Sequence, residues 1–119
     1  MKYFVSYLHV TMKHSFNNVI NDLNNHIGLS YDYLKSCQAL ETLELCRNDT
    51  HTDDYNTCIT DGINCLVSNK DSLIKIKDKY DLDFKYYCIF MKYDKIEIKD
   101  EIKVFLNQID AELIIEECD

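Results

Sequence analysis

The 119 residues carry 13 basic against 21 acidic side chains, a formal charge of −8, and the balance of 46% apolar to 29% charged residues is that of one globular domain. This acidity excludes a generic nucleic-acid binder, because neutralising phosphates needs a net basic face, and it argues equally against docking on anionic lipid. No apolar run approaches the roughly 18–20 residues of a membrane span, and Met1 to Tyr7 alternates like a strand instead of presenting a signal peptide's apolar core. The expected location is cytoplasmic.

Residues 3–10 set Tyr3, Val5, Tyr7 and His9 against Phe4, Ser6, Leu8 and Val10, and bulk on both sides predicts a strand in a mostly buried setting. Ser15 then precedes Phe16, Val19, Ile20, Leu23 and Ile27, a helical stripe with a cap at its start and Gly28 as its stop. Leu40 to Cys46 fits a strand, and Arg47 to Asp54 reads as a polar loop ending in a helix cap. Tyr55, Cys58, Ile59, Ile63, Leu66 and Val67 give a helix its apolar face, weakened at Gly62. Ser68-Asn69 breaks it, and Leu73, Ile74, Lys77 and Tyr80 mark the turns of another helix over 70–80. Phe84 to Met91 predicts a strong strand, Asp94-Lys95 a turn, and Ile96-Glu97-Ile98 a short extended piece. Ile102, Phe105, Leu106 and Ile109 define one more amphipathic helix, and Ala111 to Glu116 a closing strand.

With no proline and only two glycines, the chain offers no interdomain linker. The expected fold is a single α+β domain over residues 1–119. It is a two-layer sandwich, its mostly antiparallel sheet carrying amphipathic helices on one face.

Chemistry is harder to place. Cys37, Cys46, Cys58, Cys65, Cys88 and Cys118 contain no Cys-x-x-Cys and no zinc-finger spacing. On one helix Cys58 and Cys65 would stand about 10 Å apart, too far for a disulfide. Most of the six are therefore expected to be free thiols serving as small hydrophobes in a reducing compartment. His9, His14, His26 and His51 form no ligand pair, and His51 among Asp49, Asp53 and Asp54 reads as a solvated loop. Two isolated glycines cannot build a phosphate loop, and no cysteine has the electropositive setting of a nucleophile. No catalytic residue, metal or cofactor is expected.

Charge distribution says more. Between Arg47, the one arginine, and Lys70 there is no lysine or arginine, while Asp49, Asp53, Asp54 and Asp61 fall there. After Lys103 there is again none, and Glu112, Glu116 and Glu117 follow. Two such segments can form a field that steers a basic partner. Nine tyrosines, with Tyr31, Tyr33, Tyr55, Tyr87 and Tyr93 as candidates for exposure, supply interface anchors. Acid and tyrosine without a catalytic set fit a protein-binding module, with Asp49, Asp53, Asp54, Tyr55, Asp61, Glu112, Glu116 and Glu117 as its candidate contacts.

Asn69-Lys70-Asp71-Ser72-Leu73, Lys79-Tyr80-Asp81-Leu82-Asp83-Phe84 and Tyr86-Tyr87-Cys88-Ile89-Phe90 lead to Ile96-Glu97-Ile98, Glu101-Ile102, Phe105-Leu106, Gln108-Ile109 and Ala111-Glu112-Leu113-Ile114-Ile115. This order resembles an uncharacterised family of small bacterial α+β proteins over about half the chain. Many members look like immunity partners of polymorphic or contact-dependent growth-inhibition toxins. The resemblance implies a cytoplasmic inhibitor whose partner is the C-terminal domain of a cognate toxin, basic and possibly a nuclease, with no direct contact to nucleic acid or membrane. The alternative is an acidic nucleic-acid mimic that blocks a host defence nuclease; it requires a continuous carboxylate stripe at phosphate-like spacing.

Overall fold

The computed structural model describes residues 3–13, 16–27, 42–51, 55–91 and 97–118. Alternation sets the sheet. In β1 (Tyr3–Thr11) Phe4, Ser6, Leu8 and Val10 are buried on one side, while on the other Tyr3, Tyr7, His9 and Thr11 stay partly exposed and Val5 is buried. β3 (Asp83–Met91) repeats the pattern, with Phe84, Tyr86, Cys88 and Phe90 buried. β2 (Thr42–His51) and β4 (Ala111–Cys118) flank this central pair, in the order β2-β1-β3-β4. β1 runs antiparallel to β2 and β3, and β3 runs parallel to β4, so the sheet is mixed but mostly antiparallel. The parallel pair requires a crossover, and α4 (Asp100–Gln108) supplies it.

The helices cover one face. α1 (Phe16–Asp22) passes into a single π turn, Leu23–Ile27; α2 (Tyr55–Val67) and α3 (Lys70–Tyr80) follow one another across the turn at 68–69. Val19, Leu23, Ile59, Ile63, Leu66, Leu73, Ile76, Ile102, Phe105 and Leu106 from these helices form one core with Phe4, Leu8, Val10, Leu43, Leu45, Phe84, Tyr86, Cys88 and Phe90 from the sheet. The expected two-layer α+β arrangement is therefore the one found. α3 and α4 each hand the chain to a strand through an aspartate in the left-handed region, Asp81 and Asp110, both at φ 54°. Short polar side chains tolerate that conformation. At the first of these ends the N–H groups of Asp81 and Leu82 both donate to the Lys77 carbonyl.

Three expectations are corrected. Residues 47–51 are strand, not loop: β2 is an edge strand, and an edge carries polar side chains without ceasing to pair. Glu97 to Lys99 form no regular element before α4. Cys46 and Cys65 are joined in a disulfide that ties β2 to α2 across a sequence separation of 19, with Cα atoms 6.4 Å apart. The Ser15 cap, the Gly28 stop and the Asp94-Lys95 turn lie outside the described residues.

A bulge in β2 keeps two adjacent side chains, Leu45 and Cys46, on the helix side of the sheet and puts Arg47 on the other. Leu45 pairs with Leu8 and Asn48 with Ser6, so Cys46 and Arg47 together face the single residue Tyr7. Cys46 takes φ 52° to do this, and its side chain is anchored to Cys65 on the helix side while Arg47 stands on the opposite face.

Candidate functional site

The sheet face away from the helices is paved by three rows that cross all four strands. Register places Asp49, Val5, Ile89 and Glu116 in one row and Glu44, His9, Lys85 and Glu112 in another. Between them runs the row Arg47, Tyr7, Tyr87 and Ile114. The centre of the face is aromatic and aliphatic. Its two edges are acidic.

Tyr7 and Tyr87 stack with ring centroids 5.2 Å apart and planes 19° from parallel, and His9 meets Tyr87 edge-on at 5.6 Å. The Arg47 guanidinium lies 5.4 Å from the Tyr7 centroid, a cation–π contact. Glu44 accepts from its Nη1 at 2.8 Å and Asp49 from its Nη2 at 3.4 Å, so two carboxylates one row either side hold the cation on the ring. Tyr3 joins this edge; its hydroxyl donates to Asp49, and that bond is the first cause of its raised pKa. Burial, then the Glu44 charge, raises the Tyr7 pKa, and Glu116 adds to it from β4. Burial depresses His9 below the ordinary imidazole value, with Glu44 opposing and Lys85 reinforcing the shift.

The expected contact residues divide between the two layers. Asp49, Glu112 and Glu116 share the open sheet face. The two basic-free segments thus bound that face from opposite edges, about 14 Å apart at three strand spacings. Asp61 is exposed on α2, and Glu117 lies on the helix side of β4. Tyr55 is corrected: it is only 7% exposed, its ring 5.2 Å from Phe4 and 6.4 Å from Phe90, so it is a core residue. Asp53, Asp54, Tyr31, Tyr33 and Tyr93 lie outside the described residues. Tyr7, Glu44 and Ile114 were not singled out from the sequence.

Among the described residues, two of the lysines and arginines stand on this face. Arg47 is neutralised by its two carboxylates, and Lys85 is the only described lysine that β3 places there. Lys70, Lys75, Lys77 and Lys79 ride on α3, and Lys103 on α4. A cavity of about 310 Å³ opens in the helical layer, lined by Asp22, Ser72, Lys75, Ile76 and Lys79. Asp22 already accepts from Lys79 at 3.0 Å and from the Tyr80 hydroxyl at 2.5 Å. Burial pushes the Cys88 thiol up to about 12, which keeps it protonated and inert. Among the described residues no group of three His, Cys, Asp or Glu side chains could hold a metal ion, and no helix is long and apolar enough to cross a membrane.

No family model, curated protein or solved structure matches this chain.

Proposed function

We propose that this protein is a toxin-neutralising immunity protein of a contact-dependent growth-inhibition or similar bacterial system. It binds a basic toxin domain, of which a nuclease is one instance, with the open face of its sheet. One observation carries the reading: an aromatic and aliphatic centre, Tyr7, Tyr87, Ile89 and Ile114, is left partly exposed between the carboxylates of Glu44, Asp49, Glu112 and Glu116, with no described helix packed over it. A desolvated aromatic core inside a charged rim is the anatomy of a protein interface. Negative rims steer a basic partner and reject acidic ones. The nucleic-acid-mimic alternative needs one unbroken carboxylate stripe, whereas here apolar side chains separate the two acidic edges.

Titrating the purified protein against the toxin domain encoded beside it tests the reading. Saturable 1:1 binding that weakens with salt, together with protection of cells expressing the toxin, is the expected result. Absence of both would end it.

A further inference from the structure

The open face carries the same arrangement twice, once complete within the chain. On the β2 side, Arg47 lies on the Tyr7 ring while Glu44 and Asp49, one row above and below, take its two terminal nitrogens. On the β4 side, Tyr87 occupies the equivalent place in the middle row, and Glu112 and Glu116 stand one row above and below it. Where β2 has Arg47, β4 has Ile114. Glu112 and Glu116 form no ion pair among the described residues, and both are exposed. Tyr7 stacks on the Tyr87 ring, and the register sets Ile114 of β4 on the other flank of Tyr87.

We infer that Tyr87, Ile114, Glu112 and Glu116 form a docking site for one arginine side chain of a partner protein. The inference rests on the proposed reading of this face and names the chemistry of its partner. Four steps along the strand separate Glu112 from Glu116 by about 13 Å, a span that two glutamate side chains and a guanidinium bridge together. Arg47 demonstrates this span and this stacking within the molecule. A guanidinium fits better than an ammonium, because it is planar, weakly hydrated, and has nitrogens to offer both carboxylates while lying flat on a ring. Lys85 pairs in register with Glu112, so Glu116 is the carboxylate less compensated by the protein's own charge.

The test uses the intact protein and N-acetyl-arginine methylamide as probe, followed by NMR of the Ile114 methyl and Tyr87 ring signals. Saturable shifts at these two residues are expected. The lysine analogue should bind more weakly, and the Glu112→Gln/Glu116→Gln double variant should lose about tenfold in affinity. Both substitutions are at exposed positions and leave the fold intact, which unchanged thermal unfolding verifies. Shifts that persist in the double variant, or that centre on the helical layer, would overturn the inference. The two readings separate in a second arm. A toxin domain that binds wild type and the double variant equally well removes the arginine site and leaves the partner class standing. Arginine docking without any toxin binding does the reverse.

Discussion

Gly62 of α2 lies against the Tyr86 hydroxyl: a Cβ at position 62 would stand 2.8 Å from that oxygen and 3.4 Å from Ser6 Oγ. The glycine lets the helix approach the sheet where a tyrosine reaches up from β3. Both oxygens are buried, and among the described residues neither has a hydrogen-bond partner within bonding geometry. Gly62→Ala should therefore destabilise the protein by about 1 kcal/mol net, an overpacking cost of ~1–3 kcal/mol against a helix-propensity gain of ~1 kcal/mol. In a Tyr86→Phe background the same change should be neutral or stabilising, since the obstructing oxygen is gone. Urea unfolding of the four proteins in this cycle measures the difference; equal effects in both backgrounds would contradict it.

Arg47→Lys should not behave as a conservative change. The ammonium cannot lie flat on Tyr7 and bridge Glu44 and Asp49 together, and the Glu44 pair is largely shielded, with side chains 18% and 15% exposed. A loss of about 1–2 kcal/mol is expected, with little dependence on salt. Chemical denaturation at low and high ionic strength checks both statements.

Opening the Cys46–Cys65 disulfide should cost about 3 kcal/mol, from the chain entropy of a loop of this length. The Cys46→Ser/Cys65→Ser variant and the wild type reduced with a dithiol should melt at the same lowered temperature. Because Cys46 holds the bulge, amide exchange in 42–49 should rise most in both.

Stability should fall on mild acidification. His9 has a native pKa below its unfolded value of 6.5, so the unfolded chain takes up the proton first. Its contribution is fully present above pH 6.5 and is lost as pH falls toward the native value. Its neighbours on the face are Glu44 on β2, Lys85 and Tyr87 on β3, and Thr11, whose Oγ1 is 3.5 Å from Nδ1. In His9→Gln this part of the pH dependence should vanish from urea midpoints measured between pH 5 and 8.

Much of the fold could be read from residues alone, because periodicity reports burial. The stripe Tyr55, Ile59, Ile63, Leu66 and the break at Ser68-Asn69 place α2 and α3 where they are found. Phe84, Tyr86, Cys88 and Phe90 do the same for β3. The apolar stripe itself marked Tyr55 as a core residue, and treating its aromatic ring as a surface anchor ignored its helical spacing from Ile59. What could not be read was tertiary. The end of β2 looks like a loop because its outer side chains are charged and its bulge interrupts the alternation. The Cys46–Cys65 pairing joins a strand to a helix, which no local spacing encodes. The acidic segments were evident, but only strand order places Asp49 and Glu116 at the two ends of one row.

The most direct measurement is the amide-exchange footprint of the protein in complex with the basic toxin domain encoded beside it. Protection centred on residues 5–9, 85–89 and 112–116 is expected. Protection confined to α2, α3 and α4, with the open sheet face exchanging as in the free protein, would contradict a partner seated on that face.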